Sequence, residues 1–416
     1  MMDAATDLCM TPAGAPAGAD RAWRRASLAG AALLLCFWVG LLLLNPSLFP
    51  EGPYEGNAPW RDAVPRAIRL VGDTPRYLLG AENLLAGRPL VNKQASYAGY
   101  VAVVAACQWS GLGVPGVVGV QVLMALLSLP CVYGLGRRLA GARAGGLAVL
   151  LYAGNPEIAA WHTIIQTDSL YLSCLAIFVW FYVTARERGW PVRLGLVPAA
   201  VALVSIRPNG WIVPPALAAQ ALLSARGWPW RRRLLSVAAL VGVLAAIAWG
   251  VSGLRQGIEA ENPVRMLYRG EVLWGHAAWR LEMPSPTPAT DDWGPAWGYV
   301  LRHPLACTEL ALARLAVLYG RVRPSYSWRH NLFLLMAYPP LYLLAAWGLW
   351  RHWRRWEAGV LLAVIGGHML TVALTFDHVD GRFFLYFLPE LLVFSGAGAA
   401  AALELLGRFW KARRPV

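Results

Sequence analysis

Residues 21–44 read RAWRRASLAGAALLLCFWVGLLLL, three arginines followed by an almost wholly apolar run. An α-helix needs about 20 mostly apolar residues to cross the hydrocarbon core of a bilayer. Because Arg and Lys collect on the cytoplasmic side, the stretch predicts a transmembrane helix whose amino terminus lies inside. The run ends in Leu-Leu-Leu-Leu-Asn-Pro without a small-residue cleavage site, which favours an uncleaved anchor over a signal peptide.

The composition of the whole chain extends this interpretation. Of the 416 residues, 57% are hydrophobic and 14% are charged, whereas a soluble domain has about 25% charged residues. A soluble enzyme, a nucleic-acid-binding module and a disordered chain are therefore excluded. The net charge of +14 does not indicate nucleic acid, because more than half of the cations lie in short clusters between apolar runs. The clusters lie at 21–25, 137–143, 186–193, 226–233, 351–355 and 408–414.

The apolar runs predict an all-α polytopic membrane protein with about ten transmembrane helices. The candidate crossings are 26–44, 114–135, 144–164, 169–185, 194–206, 210–224, 234–251, 331–350, 357–376 and 383–406. With the amino terminus inside, ten crossings place all six basic clusters in the cytoplasm, as the positive-inside rule requires. Two long segments then face the exterior, and in the first of them the helical spacing of apolar residues predicts interfacial helices near 73–87 and 97–109.

The chain divides accordingly into five segments. They are a cytoplasmic, disordered segment 1–25; an amino-terminal transmembrane catalytic module 26–251 that includes the outer loop 45–113; an outer loop 252–330 with an interfacial helix; carboxy-terminal transmembrane helices 331–407; and a basic tail 408–416. Cys107 and Cys307 both fall in outer segments, and the spacing leaves open whether they form a disulfide or stay free.

Ionisable residues at the outer edge of the membrane are costly, so they are the first candidates for function. Each has a structural alternative: Asp73 and Asp168 precede helices, where Asp is a favoured N-cap, and Arg207 and Arg382 could snorkel to headgroups. His378 could be an ordinary loop residue. All of them fall on one side of the membrane, however, and a carboxylate among cations suits a general base beside a phosphate.

Several motifs follow one another in an order that is similar to a known superfamily. They are GDTPRYLLGAENLLAG at 72–87, YGLGRRLAGARAGGLA at 133–148, Asn155-Pro-Glu, QTDS at 166–169, Arg207-Pro and GRFFLYFLP at 381–389. In these the chain resembles the C-type (GT-C fold) glycosyltransferases that use polyprenyl-phosphate sugars, such as protein O-mannosyltransferase-like and lipid A aminoarabinose transferase-like proteins. It departs from many relatives in having one acid, Asp73, where they have two adjacent acids, and it shows no Asp-x-Asp metal motif.

The resemblance implies an inverting, metal-independent hexosyl or pentosyl transfer, without a cofactor, on the outer face of a bacterial inner membrane. Asp73 is the expected base, and Asp168 stays open as the alternative. The remaining candidates, which would bind the substrate or the lipid phosphate, are Lys93, Arg207, His378, Arg382, Tyr77 and Tyr100. The expected partners are the polyprenyl-phosphate sugar donor, membrane lipids and an acceptor that is a protein, a lipid or a glycan, with no nucleic acid.

Two other classes of protein share these features. A transporter or flippase of a lipid-linked sugar would have the same ionisable residues and apolar groove, although such proteins more often show internal two-fold symmetry, and the sequence has no visible repeat. A catalytically inactive scaffold subunit of the same fold would lack the transfer reaction, and the presence of Asp73 counts against it.

Overall fold

The computed structural model describes residues 17–45, 68–91, 93–225, 227–238, 242, 262–274, 276, 278–285 and 293–413. Within these ranges the chain is built from helices, and isolated backbone bridges join the segments that the sequence predicts to lie outside the membrane, which are called the outer segments below. The helices of the first half are α1 (Ala17–Leu44), α2 (Thr74–Leu85), α3 (Lys93–Ser96), α4 (Ala98–Trp109), α5 (Gly113–Ala140), α6 (Ala142–Ala153), α7 (Pro156–Trp161), α8 (Thr167–Ala185), α9 (Trp190–Leu194), α10 (Leu196–Ile206), α11 (Val213–Leu223) and α12 (230–238). Those of the second half are α13 (Pro263–Tyr268), α14 (Trp293–Arg302), α15 (Pro304–Gly320), α16 (Trp328–His352), α17 (Trp356–Leu374), α18 (Arg382–Leu385) and α19 (Leu388–Ala412).

Six of these helices are long and apolar enough to cross a membrane, which confirms the all-α polytopic prediction. They are α1, α5, α8, α16, α17 and α19, and each coincides with one of the ten candidate crossings. α1 begins at Ala17, inside the segment expected to be disordered, so this helix is longer than its apolar run. The described outer segments contain the predicted helices α2 and α4.

One other candidate crossing is interrupted instead of continuous. The run 144–164 is divided into α6 and α7 at Asn155-Pro156, where the Asn155 side chain accepts from the backbone N–H groups of Glu157 and Ile158 and so caps α7. Proline has no backbone N–H to donate and is tolerated in the first turn of a helix, so Pro156 suits this new start. The candidates 194–206 and 210–224 correspond to α10 and α11, which are separated by a 3-10 turn that begins at Pro208. The remaining candidate, 234–251, lies largely outside the described residues.

Glycine allows the central helices to pack closely. α19 lies against α5, α6 and α16, and α6 also packs on α1. A Cβ atom at Gly396 would lie 2.6 Å from the backbone nitrogen of Ala148 on α6, and one at Gly398 would lie 2.0 Å from the carbonyl oxygen of Leu344 on α16. Small residues of this kind let helix backbones approach each other where lipid supplies no hydrophobic driving force.

Backbone contacts join the outer segments that carry the candidate residues. Arg69 forms a parallel bridge with Ile164, which brings the chain before α2 beside the chain before α8. The buried hydroxyl of Thr74 strengthens this junction, because it donates to the carbonyl of Ile165 at 3.0 Å. A second bridge, between Leu273 and Asp377, brings the long outer loop against the last one.

Candidate active site

Asp73 lies at the start of α2 with its carboxylate facing neighbouring side chains. It makes no side-chain capping hydrogen bond, so the N-cap interpretation of its side chain is wrong. Oδ2 accepts hydrogen bonds from Arg382 Nη1 at 3.1 Å and Gln166 Nε2 at 3.2 Å, and Oδ1 lies 3.1 Å from Arg76 Nη2. The side chain keeps 22% of its exposure, which makes this carboxylate accessible to a substrate.

The electrostatic surroundings keep the Asp73 carboxyl group ionised. Burial by itself raises its pKa, but the positive charges of Arg382 and Arg76 and the hydrogen bond from Arg382 outweigh burial, so the pKa lies below its ordinary value. The carboxylate is therefore charged at neutral pH, as a proton acceptor must be.

Arg382 begins the short helix α18 and is held between two carboxylates. Besides Asp73, its Nε lies 3.7 Å from Asp380 Oδ1, and that oxygen also accepts from the Arg382 backbone N–H at 3.2 Å. The Nε atom is buried and donates no hydrogen bond. Nη1, by contrast, is directed at the accessible Asp73 carboxylate, and an anionic substrate group that enters there could compete for the same guanidinium group.

His378 is oriented by the carboxylate of Asp380. Its Nδ1 lies 2.7 Å from Asp380 Oδ1, and its ring stacks on Trp274 with a centroid separation of 5.3 Å and an interplanar angle of 20°. The contact with Asp380 occupies Nδ1, so only Nε2 could meet a ligand. The structure therefore brings His378 to Arg382 through Asp380, and through Arg382 to Asp73.

Asp168 and Arg207 form a second ion pair, and this one is buried. Asp168 Oδ2 accepts from Arg207 Nη1 at 2.9 Å and Oδ1 accepts from the Tyr386 hydroxyl at 2.6 Å. Arg207 also donates to the Thr167 hydroxyl at 2.5 Å and lies over the Tyr386 ring, 4.7 Å from its centroid. The Asp168 side chain is 1% exposed. With both oxygens engaged and no access, Asp168 is suited to holding Arg207 in place and unsuited to taking a proton from a substrate.

The other predicted residues lie around α2 and α4. Tyr77 is buried one turn after Asp73 against Tyr97 and Tyr100, and its hydroxyl has no hydrogen-bond partner in the described part of the chain. Tyr100 turns inwards and donates to Gln121 Oε1 on α5 at 2.8 Å. Lys93 is the half-buried first residue of α3, which packs against α2.

Two side chains that bind the predicted acids were missed by sequence reasoning. Gln166 and Tyr386 both bind predicted acids, and both stand within quoted motifs. Tyr386 lies four residues after Arg382, the spacing at which side chains share one face of a helix, so periodicity could have found it. Gln166 had no such signal.

The described residues contain no group of three or more His, Cys, Asp or Glu side chains that could hold a metal ion. Metal independence stays a prediction. Cys107 and Cys307 are both free thiols in the structure and do not pair with each other.

Two comparisons with known proteins, one of sequence profiles and one of folds, find similar proteins. The profile of a family described as dolichyl-phosphate-mannose-protein mannosyltransferase matches residues 110–251, about a third of the chain. No curated protein matches the chain in sequence. Among solved structures, the archaeal oligosaccharyltransferase AglB from Archaeoglobus fulgidus, in complex with an inhibitory peptide and a dolichol-phosphate, superposes with a TM-score of 0.50 at 14% identity over 95% of this chain and 52% of that one.

The apo form of the Archaeoglobus fulgidus oligosaccharyltransferase superposes with a TM-score of 0.49 at 14% identity, over 95% of this chain and 53% of that one. The chain thus spans about half the length of these enzymes. The AglB complex shows a shared fold, and together with the profile match it confirms the resemblance to the C-type glycosyltransferase superfamily.

Proposed function

We propose that this membrane protein transfers a sugar from a polyprenyl-phosphate donor to an acceptor on the outer face of the membrane, with inversion and without a metal ion. The observation that carries the proposal is the contact between the Asp73 carboxylate and the Arg382 guanidinium, 3.1 Å apart although 309 residues separate them. Asp73 supplies a base and Arg382 an anion-binding group, and the two side chains are in direct contact.

The reaction needs both groups at the same time. An acceptor hydroxyl attacks the anomeric carbon of the donor while its proton passes to the Asp73 carboxylate. The bond from the anomeric carbon to the phosphate oxygen breaks, and the polyprenyl phosphate leaves with that electron pair. A guanidinium group already aimed at the leaving phosphate stabilises the negative charge that develops there.

Arg382 is suited to the phosphate because of its existing contacts. An incoming phosphate competes with Asp73 for the same guanidinium, and its binding weakens the ion pair that lowers the basicity of Asp73. Donor binding and base activation are thereby coupled through one side chain. The dolichol-phosphate bound in the AglB structure is a lipid phosphate of the class proposed for the donor.

In this proposal His378 offers Nε2 to the same phosphate, and the buried Arg207 adds a positive charge close to it. Asp168 acts by fixing Arg207, because its two oxygens are occupied by Arg207 and Tyr386. Two other candidates are assigned no contact with the reacting atoms. Tyr77 lies in α2 with a buried hydroxyl group, and Lys93 is the first residue of the short helix α3. The proposed location is a bacterial cytoplasmic membrane, with Asp73 and Arg382 on the periplasmic side.

The test is an assay of the purified protein with polyprenyl-phosphate sugars. Sugar-dependent release of polyprenyl phosphate from the wild type, lost in Asp73→Asn, supports the proposal. Movement of the intact donor between leaflets without release indicates a flippase. Donor binding with neither movement nor release indicates an inactive scaffold subunit.

A further inference from the structure

The outer loop that carries Arg382 is fixed along its length by the segment that follows α15. The two stretches are 377–382 and 321–326. Their contacts are an ion pair between Arg323 and Asp377, a hydrogen bond from the Tyr326 hydroxyl to the Asp380 carbonyl, one from Ser325 Oγ to the Val379 carbonyl at 3.4 Å, and one from Arg321 Nη1 to the Gly381 carbonyl at 2.6 Å. The position of Arg382 therefore depends on a segment that does not itself reach Asp73.

Arg321 connects this loop to the amino-terminal half of the chain. Its Nη2 atom donates to Glu157 Oε1 at 2.6 Å, and Glu157 Oε2 accepts from the hydroxyl of Tyr338 on α16. Glu157 lies in the first turn of α7, directly after the Asn155-Pro break. A single guanidinium group thus joins α7 to the carbonyl group that precedes Arg382.

This connection is maintained at an energetic cost. The Arg321 and Glu157 side chains are 1% and 6% exposed, and a buried ion pair is often no more stabilising than apolar residues of the same volume. Arg321 also has a left-handed backbone with φ of 61°, the one such non-glycine residue in the described chain, and held outliers of this kind cluster at functional sites.

Gly381 adopts the left-handed conformation as well, with φ of 67°, and a Cβ atom there would lie 2.8 Å from Arg321 Nη1. The loop and the guanidinium group therefore fit each other closely. The left-handed backbone of Arg321 belongs to the C-cap of α15, a place where glycine is the usual residue. An arginine at this place is explained by the contacts of its side chain with Glu157 and with the Gly381 carbonyl.

We propose that Arg321 is a positioning residue for the lipid-phosphate site, holding the Gly381 carbonyl so that Arg382 faces Asp73. This inference rests on the proposed function, since it assigns Arg321 a part in donor binding. It makes no claim that Arg321 touches the donor.

The decisive variant is the double substitution Glu157→Leu/Arg321→Met. It removes both charges of the ion pair together, so that neither is left buried without the other. The Tyr338 hydroxyl and the Gly381 carbonyl each lose one hydrogen-bond partner in this variant. Undecaprenyl phosphate is titrated into the purified protein and binding is followed by native mass spectrometry, beside a thermal melt. We expect a cooperative melt at a lower temperature than that of the wild type, because the Tyr338 hydroxyl and the Gly381 carbonyl lose a partner, and an affinity about tenfold or more lower, the effect of losing one charged hydrogen bond.

A second readout separates positioning from general damage. In the transfer assay the double variant should raise the donor KM and also lower kcat, because Arg382 both binds the phosphate and stabilises the charge that develops on it, whereas the KM for the acceptor should stay unchanged. Arg321→Lys should give an intermediate loss, since it keeps the charge but loses the planar fork. Gly381→Ala crowds the same guanidinium from the loop side and should also weaken binding.

The control is Arg138→Met/Glu187→Leu, which removes a more exposed Arg–Glu pair by the same kind of substitution. That pair is joined by two hydrogen bonds of 2.5 and 2.6 Å between the last turn of α5 and the chain just after α8, on the side predicted to be cytoplasmic, so its loss should leave the affinity unchanged. Wild-type affinity in the folded double variant, in Gly381→Ala or in Arg321→Lys overturns the inference. If Arg382→Ala loses binding in the same experiment, only the positioning role has failed; if Arg382→Ala also binds normally, the proposed phosphate site has failed with it.

Discussion

Asp73→Asn tests the proposed base with little disturbance to the fold. The substitution keeps the size of the side chain, removes its charge, and leaves one oxygen for the three donor groups that now surround the carboxylate. No helix cap is lost, because Asp73 makes no capping hydrogen bond. For ion pairs that retain solvent access, we expect a loss of about 1 kcal/mol or less in unfolding free energy.

The expected effect on the reaction is much larger than the effect on stability. Loss of a positioned general base lowers a rate by about 10²–10⁴-fold. The assay is single-turnover release of polyprenyl phosphate from a labelled donor, with the donor saturating so that binding does not limit the rate. The control is Glu82→Gln, which removes an exposed carboxylate from the same helix and should leave the rate unchanged.

The pH profile of the wild type gives an independent check. Arg382 and Arg76 lower the pKa of Asp73 below the ordinary 3.8 despite its burial. A base must be deprotonated to act, so the contribution of Asp73 is complete above this range and is lost only as the pH falls through its lowered pKa. The pH profile of kcat/KM reports the protein without donor, so we expect no inflection from Asp73 between pH 5 and 8 in that profile. Near-native turnover in Asp73→Asn would refute the assignment and point to His378, whose ring is oriented by Asp380.

The remaining predictions concern the phosphate site, the buried pair and the topology. Arg382→Ala should raise the donor KM about tenfold or more and Arg382→Lys should also raise it, because Lys loses the planar fork; equal KM values in all three proteins would mean that Arg382 only snorkels. Asp168→Asn leaves the Arg207 charge buried without its partner and should cost about 3–5 kcal/mol in unfolding free energy, measured by denaturant titration; a stability close to wild type would contradict the buried-pair description. A cysteine at Arg88 should react with an impermeant reagent in intact cells and one at Arg188 only after permeabilisation; labelling at Arg188 in intact cells would rule out the predicted topology.

The long helices were predictable because their signal is local. Apolar runs of about 20 residues and clusters of arginine depend only on neighbouring residues, and the six long spans all coincide with predicted crossings. The interrupted crossing 144–164 was harder to predict, because apolar composition continues through Asn155-Pro156 while the helix does not. Composition measures burial in lipid, whereas helix continuity depends on backbone hydrogen bonds.

Part of the candidate site followed from topology as well. Asp73 and Arg382 were both assigned to the outer side, and the structure places them in contact. Their distance could not be predicted, because it depends on how α18 and α2 pack. The pairing of Asp168 with Arg207 changed the interpretation of both residues, since two isolated charges in a sequence do not indicate which will neutralise the other. Arg321 gave no signal, because arginines are numerous in the sequence, and neither its burial nor its left-handed backbone can be read from it.

The most direct test of the central claim is release of polyprenyl phosphate by the purified wild-type protein. The protein is reconstituted in vesicles with a panel of polyprenyl-phosphate hexoses and pentoses, together with a chelator and an extract that supplies acceptors. The account predicts that at least one donor loses its sugar in an acceptor-dependent reaction, with inverted anomeric configuration in the product and no dependence on added metal. Bound donors that stay intact throughout, or release that requires a divalent metal, would contradict it.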